Sequence, residues 1–209
     1  MRNGPDLHFE QLAARWGRRL IAGVDEVGRG PLAGPVTAAA VILDPHRVPR
    51  GLADSKVLSA KARESAFGDI LSQAVAVSIA CVEAEEIDRI NIRQACHAAM
   101  RNALRGLAVA PDYALVDGND MPRGLGCDGE TIVKGDARSL SIAAASIVAK
   151  VTRDRLMARM HKLYPAYGFD AHAGYATKAH LAAIAAHGPC RLHRMSFSPM
   201  RRSALFAPA

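Results

Sequence analysis

The chain has 209 residues, of which 50% are hydrophobic and 22% charged, proportions typical of a globular protein that buries a sizeable core. Lys and Arg outnumber Asp and Glu by 27 to 20, and the formal net charge of +7 favours acidic partners, nucleic acid above all. The four scattered cysteines predict neither a zinc site nor a disulfide framework. Without a signal-like N-terminus or an apolar run of about 20 residues, we expect a cytoplasmic protein with no membrane partner.

Apolar runs predict five strands, most of them in the first two thirds of the chain. A Gly- and Pro-rich stretch separates the first two and predicts a long hairpin, while the fourth ends in acidic and turn residues. The predicted strands cover residues 20–27, 36–43, 74–82, 112–120 and 130–137.

Three segments show helical patterns. Residues 83–107 begin with acidic residues and carry Arg near their end, as a helix dipole favours. From residue 139 to 164 apolar residues form stripes at helical spacing, and the small residues 143–145 would let this helix pack closely on a sheet. Residues 177–188 predict a short Ala-rich helix. The sequence therefore predicts an α/β domain with a mixed sheet and a helical C-terminal part.

Four carboxylates lie at or just beyond predicted strand ends: Asp25, Glu26, Asp117 and Asp136. If they converge on one rim of the sheet, a divalent cation would relieve their repulsion, and Mg²⁺ and Mn²⁺ prefer oxygen ligands. The alternative is that each is a turn or cap residue, since Asp commonly ends strands, and we assign that role to Asp54 and Asp120. Asp154 is expected to pair with a basic residue on its helix.

Directly after the first two carboxylates comes a Gly-Arg-Gly loop, formed by Gly28, Arg29 and Gly30. No Gly-Lys-Ser or Gly-Lys-Thr follows it, and Pro31 fits poorly with a helix starting there, which argues against nucleotide-binding loops. The loop is either a tight turn or a place where backbone amides approach a phosphate or ribose and Arg29 adds charge.

Several long motifs, in order, resemble the ribonuclease HII family. They are "GVDEVGRGPLAGPVTAAAVIL", "LADSKVLS", "YALVDGN", "VKGDARSLSIAAASIVAKVTRDR" and "YPAYGFDAHAGYATKAHLAAIAAHGPCRLHRMSF", and together they span roughly residues 20–199. The resemblance implies an RNase H-like α/β fold: a mixed five-stranded sheet flanked by helices, with a helical C-terminal part. It divides the chain into an N-terminal extension (1–19), a catalytic domain (20–165) and a helical C-terminal part with a tail (166–209).

The resemblance also implies the activity: a metal-dependent endonuclease that cuts RNA in RNA–DNA hybrids and on the 5′ side of ribonucleotides embedded in duplex DNA. The expected products carry 5′-phosphate and 3′-hydroxyl ends. Its catalytic metal ligands carry over to Asp25, Glu26, Asp117 and Asp136, with Mg²⁺ or Mn²⁺ as cofactor. Its substrate-binding residues carry over to Gly28, Arg29, Gly30 and Tyr175.

On its residues alone, Tyr175 could equally be an ordinary tyrosine at the boundary of the core, with a buried ring and a hydrated hydroxyl. Two positions depart from the family pattern: Val57 and Ala173 each stand where a lysine is usual, which removes positive charge without touching the metal ligands.

Basic residues near the C-terminal half are candidates for phosphate contacts that are not sequence-specific. They are Lys150, Arg153, Arg155, Lys178, His193, Arg194, Arg201 and Arg202. Two other functions remain open: another nuclease or transferase of the same broad fold, and a nucleic-acid-binding protein that does not cleave. We expect a monomer, and we expect the tail from residue 201 onward to be a disordered end rather than a partner-binding segment.

Overall fold

The computed structural model describes residues 4–202 of the chain. The five strands are β1 (Ile21–Val27), β2 (Val36–Ile42), β3 (Ala76–Val82), β4 (Tyr113–Asp117) and β5 (Asp128–Ile132). The helices are α1 (His8–Arg15), α2 (Ala60–Gln73), α3 (Ala84–Ile90), α4 (Ile92–Arg105), α5 (Leu140–Leu163), α6 (Phe169–His172) and α7 (Lys178–His187). Short 3₁₀ turns lie at Gly135–Ala137, Pro165–Tyr167 and Met200–Arg202.

The strands form one mixed sheet in the order β3-β2-β1-β4-β5. β1 pairs antiparallel with β2, which pairs antiparallel with β3, whereas β1, β4 and β5 run parallel. This is the mixed five-stranded sheet that the sequence predicted, and the hairpin between β1 and β2 is confirmed.

Alternating side chains give the two faces of the sheet separate cores. Ala22 and Val24 of β1 pack in a cluster with α4, whereas Ala39 and Val41 of β2 pack on the other face with α2 and α5. Helix α5 lies very close to β1, because a Cβ at Gly23 would overlap the backbone of Ser141. The small residues of α5 therefore bring the helix directly onto the central strand, as the sequence predicted.

Several segments differ from the sequence prediction. The single helix predicted for residues 83–107 is two helices, because Asn91 has a φ of 68° and its side chain caps α4 by accepting from the amide of Gln94. The strand predicted for residues 130–137 ends at Ile132, where the chain enters a turn with Lys134 at a φ of 55°. Helices α1 and α2 were not predicted.

Helix α1 packs onto the sheet. Ala13 shares a buried cluster with Tyr113 and Leu115 of β4, and the Glu10 carboxylate accepts hydrogen bonds from Ser139 and Ser141 at the start of α5. The N-terminal segment is thus joined to the ends of β4 and α5.

The C-terminal part packs around Phe169, Tyr167 and Ile184, together with Met157 from the end of α5 and Leu32 from the loop after β1. This cluster attaches the C-terminal elements to the loop that follows the first strand. Within residues 4–202 no helix is both long and apolar enough to cross a membrane. The tail prediction for residues 203–209 lies outside the described part of the chain.

Candidate active site

Two adjacent parallel strands bring Asp25 and Asp117 to the same edge of the sheet. Val24 pairs with Val116 in the parallel ladder of β1 and β4, so the next residue of each strand is one of these carboxylates. Asp136 follows β5 on a 3₁₀ turn, and the amide of the preceding Gly135 donates to Asp117 Oδ1 at 2.7 Å. Segments far apart in the sequence therefore place three acidic side chains on one rim.

Glu26, the residue after Asp25 in β1, is close enough to interact with Asp25 and Asp117, and these four carboxylates form what we call the acidic rim. Their charges influence one another. Burial, followed by the charges of Glu26 and Asp117, raises the pKa of Asp25 well above its usual value. Burial also raises the pKa of Glu26 and the pKa of Asp117. The nearby charge of Asp136 raises the pKa of Asp117 further. Buried carboxylates that raise one another's pKa form a site where a cation is favoured.

Two polar residues moderate this charge. The ammonium of Lys56 lies 3.0 Å from Asp136 Oδ2, on a side chain that is 75% exposed. The hydroxyl of Ser146 on α5 opposes the rise of the pKa of Asp25 and shares a 2.8 Å hydrogen bond with Ser55. The sequence analysis gave neither Lys56 nor Ser146 a role, although Lys56 lies within the quoted "LADSKVLS" motif.

The chemistry of the donors fits a hard divalent ion, since the rim offers carboxylate oxygens alone. In the described part of the chain, however, no three His, Cys, Asp or Glu side chains are grouped closely enough to hold a metal as they stand. The carboxylates repel one another, and Asp136 is paired with the ammonium of Lys56. An ion would therefore have to draw the carboxylate side chains together.

The Gly-Arg-Gly loop lies beside the acidic rim. Gly28 has a φ of 96°, and a Cβ there would overlap the guanidinium of Arg153, so glycine is required at this position. Arg29 and Gly30 are exposed, and Arg29 reaches back to within 3.3 Å of Glu26 Oε1. The charge of Arg29 thereby lowers the pKa of Glu26 against the effect of burial.

Tyr175 lies on the far side of the same loop and is 43% exposed. A Cβ at Gly30 would be 3.9 Å from its ring, so the two residues border one space. The amide of Leu32 donates to Gly174 O at 2.8 Å, and His180 Nδ1 lies 2.9 Å from the carbonyl oxygen of Tyr175. The C-terminal part thus holds Tyr175 next to the loop after β1.

For three of the basic residues the predicted phosphate role is wrong. Arg153, His193 and Arg194 are at most 2% exposed, and both arginines bind backbone carbonyls inside the protein. Sequence cannot distinguish a surface arginine from one that the fold encloses.

The remaining basic residues differ in their surroundings. Lys150 forms an ion pair with Asp154, which confirms the pairing expected for Asp154, and Arg155 pairs with Glu64. Lys178 and Arg201 are exposed. The side chain of Arg202 lies outside the described part of the chain.

A mixed five-stranded sheet with acidic residues at the ends of its central parallel strands defines an RNase H-like protein. The family model of Ribonuclease HII matches residues 22–200, and the chain belongs to this family. It is therefore an endonuclease that hydrolyses RNA in RNA–DNA hybrids. The predicted family, fold and enzyme class are confirmed.

Relatives and solved structures agree with this assignment. The chain is 60% identical over 199 residues to the ribonuclease HII of Rhizobium etli (strain CIAT 652), covering 95% of this chain and 86% of the relative. The ribonuclease H2 of Pyrococcus horikoshii OT3 superposes with a TM-score of 0.73 at 26% identity, over 88% of this chain and 96% of the other. The RNase HII of Archaeoglobus fulgidus, solved in a complex with PCNA, gives a TM-score of 0.72 at 28% identity, over 86% and 96%.

Proposed function

We propose that this endonuclease cuts on the 5′ side of single ribonucleotides embedded in duplex DNA, as well as within RNA–DNA hybrids, and leaves 5′-phosphate and 3′-hydroxyl ends. The observation that carries the proposal is the adjacency of two surfaces. The acidic rim and the exposed part of the Gly-Arg-Gly loop meet where Arg29 contacts Glu26. A phosphate held at the rim would therefore place its neighbouring sugar against the loop.

Asp25, Glu26, Asp117 and Asp136 are the residues proposed to hold the divalent ions, Mg²⁺ or Mn²⁺. Membership of the ribonuclease HII family implies dependence on a divalent metal. Burial and the charges of Glu26 and Asp117 raise the pKa of Asp25, and a bound cation would oppose this rise. When bound, the ions neutralise the rim, activate water at neutral pH and stabilise charge on the departing 3′-oxygen. The carboxylates would position these ions, and the amide of Glu26, which donates to Asp25 Oδ1 at 2.7 Å, orients the Asp25 carboxylate.

Gly28, Arg29 and Gly30 are proposed to read the ribonucleotide, because distinguishing RNA from DNA at one position requires contact with the 2′-hydroxyl. Tyr175 borders the same space, and its half-exposed ring offers an apolar face to a sugar. A ring against the following sugar would clash with an added hydroxyl, so Tyr175 would favour a deoxynucleotide there. Together these residues would recognise a ribo–deoxyribo junction.

The proposed working form is a cytoplasmic monomer. The net charge of +7 suits a nucleic-acid substrate. Size-exclusion chromatography with light scattering should give one mass, close to the 22.2 kDa of the chain.

An end-labelled duplex with one ribonucleotide tests the activity, beside all-DNA and RNA–DNA hybrid duplexes, with Mg²⁺, Mn²⁺ or EDTA. The enzymes compared are the wild type, Asp25→Asn and the exposed control Asp170→Asn. We expect metal-dependent cleavage 5′ of the ribonucleotide by the wild type and the control, and none by Asp25→Asn. A protein that cuts hybrids but leaves the embedded ribonucleotide intact would contradict the proposal, and cleavage of all-DNA would point to another nuclease of this fold.

A further inference from the structure

Arg194 is a fully buried cation whose hydrogen bonds go to the backbone of the Gly-Arg-Gly loop. Its guanidinium donates to the carbonyl oxygens of Gly28 at 2.6 Å and Arg29 at 2.9 Å. It also donates twice to the carbonyl oxygen of Gly34, at 3.0 and 2.8 Å. Among the described residues it has no carboxylate within 4.0 Å, so its charge faces backbone carbonyls and, on one side, the ring of Phe197.

These contacts fix the orientation of two consecutive peptide groups. The peptides that join Gly28 to Arg29 and Arg29 to Gly30 are trans. In a planar trans peptide the N–H group points opposite to the carbonyl. Because both carbonyls point inward at Arg194, the N–H groups of Arg29 and Gly30 point away from it.

The side to which these N–H groups point is open. Arg29 and Gly30 are exposed, whereas Gly28 and residues 31–35 are buried. Within residues 4–202 neither N–H group has an acceptor. Two free donors on consecutive residues, on a loop that Arg194 holds from inside the protein, can both donate to one oxygen atom.

Burying the Arg194 guanidinium without a paired anion costs free energy of folding, because an enclosed cation loses its hydration. Burial lowers the pKa of Arg194 to about 10, and the guanidinium stays protonated at neutral pH. A cation against the carbonyl oxygen of a peptide polarises its N–H group into a stronger donor. Arg194 therefore orients and polarises two N–H groups of the loop, which apolar packing could not do.

We infer that Arg194 is a specificity-determining positioning residue, which presents the N–H groups of Arg29 and Gly30 to the 2′-hydroxyl oxygen of the substrate ribonucleotide. This inference rests on the proposed function of the loop as the reader of the ribonucleotide. It assigns discrimination between ribose and deoxyribose to a residue that never touches the substrate.

Arg153 provides a matched comparison, because it is equally buried and also binds carbonyls. Its partners are the carbonyl oxygens of Ala33, Pro35 and Ala173, and not those of Gly28 or Arg29. Arg153→Lys and Arg194→Lys each keep the charge and remove the planar fork of donors. The two variants should therefore lose similar stability. Because the Arg153 guanidinium packs against Gly28 and binds Ala173 O, Arg153→Lys is a comparison for stability and not for selectivity.

The test measures KM for the duplex with one ribonucleotide and Ki for the matching all-DNA duplex as a competitor. For Arg194→Lys we expect KM to rise about tenfold, the effect of losing one or two net hydrogen bonds, with Ki nearly unchanged. Arg89→Lys, at an exposed position, should keep the wild-type ratio of Ki to KM.

Two results would overturn the inference: an unchanged ratio in Arg194→Lys, or an equal rise of KM and Ki. An equal rise would mean that the two N–H groups hold a phosphate. If the wild type itself does not prefer the ribonucleotide duplex, the proposed function fails instead.

A measurement on the wild type covers the case in which Arg194→Lys does not fold. In EDTA, the amide NMR signals of Arg29 and Gly30 should shift on adding the ribonucleotide duplex and stay in place with all-DNA. Equal shifts with both duplexes would refute the inference.

Discussion

The ammonium of Lys56 lies 3.0 Å from Asp136 Oδ2, so a cation from the loop between β2 and α2 reaches the acidic rim. The same ammonium is 3.8 Å from Asp54 Oδ1. Because its side chain is 75% exposed, Lys56 is free to move away when a divalent ion arrives. The residue thus acts as a replaceable counter-charge for a carboxylate proposed to bind metal.

Replacing Lys56 by methionine should tighten metal binding, because a competing positive charge is removed from Asp136. An exposed ion pair is worth about 0.2–1 kcal/mol, so the Mn²⁺ concentration for half-maximal thermal stabilisation should fall roughly two- to fivefold. Lys61→Met, at an exposed position on α2, serves as the control and should leave that concentration unchanged. Weaker Mn²⁺ binding by Lys56→Met would show that Lys56 supports the metal site instead of competing for it.

Metal binding itself should stabilise the folded chain, since an ion that binds only the folded state adds free energy of unfolding. At about 100 times its Kd the gain is about 2.7 kcal/mol, which corresponds to a rise in Tm of about 5–10 °C for a chain of this size. Asp25→Asn and Asp117→Asn should abolish the rise, whereas the exposed control Asp170→Asn should keep it. A full rise in both rim variants would place the ion elsewhere.

The same scan in EDTA tests the electrostatics of the rim. The pKa of Asp25 is raised in the folded state, so stability falls as the pH rises from the unfolded pKa of about 3.9 through the folded pKa, and the loss is complete above the folded pKa. Asp25→Asn should therefore unfold at a higher temperature than the wild type at about pH 8, and the difference should shrink as the pH falls. A lower Tm for the variant at both pH values would mean that the hydrogen bond from the Glu26 amide to the Asp25 carboxylate matters more than the repulsion.

A pair of buried histidines in the C-terminal part should make stability depend on pH. His180 Nε2 lies 3.1 Å from His193 Nε2, and a hydrogen bond between them requires at least one neutral ring. Burial lowers the pKa of His193 to about 4. The unfolded histidine titrates near 6.5, so the unfolded state binds more protons below that pH, and stability falls as the pH drops from about 6.5 to 4.

Urea unfolding at several pH values checks this expectation. His193→Gln should be less stable than the wild type at about pH 7.5, where the native pair is intact, and should lose less stability on acidification. His46→Gln alters an exposed histidine and should follow the wild-type curve. Parallel curves for the wild type and His193→Gln would assign the acid sensitivity to other groups.

Much of the fold follows from patterns that the sequence displays. Apolar runs located β1, β2 and β3 to within two residues at each end, because continuous apolar runs bounded by turn residues leave local signals. The break at Asn91 was missed, since helical patterning continues on both sides and the positive φ of one residue decides it. The end of β5 was missed because the apolar character of Val133 extends past Ile132 although the strand does not.

The candidate site was predictable in part for a similar reason. Carboxylates at strand ends are visible in the sequence, and the parallel pairing of β1 with β4 then brings Asp25 beside Asp117. The roles of Arg153 and Arg194 were not predictable, because burial of an arginine depends on segments that meet only in the fold. Without the tertiary contacts, a basic C-terminal segment in a nucleic-acid enzyme reads as a phosphate-binding surface.

The last prediction concerns Val57, which departs from the ribonuclease HII pattern described above. Val57 is 74% exposed beside Lys56, where the ribonuclease HII pattern usually has a second lysine. Val57→Lys should bind duplex substrates more tightly and steepen the dependence of log K on log salt by about 0.9, the effect of one added phosphate contact. Its Tm should stay near that of the wild type, because the side chain is exposed.

Val109→Lys is the matched control, since Val109 is also exposed but precedes β4, at the opposite end of that strand from Asp117. It adds the same charge far from the acidic rim. Fluorescence anisotropy over a series of salt concentrations separates the two positions. If both variants steepen the salt dependence equally, the gain comes from net charge alone, and the position of Val57 has no special relation to the substrate.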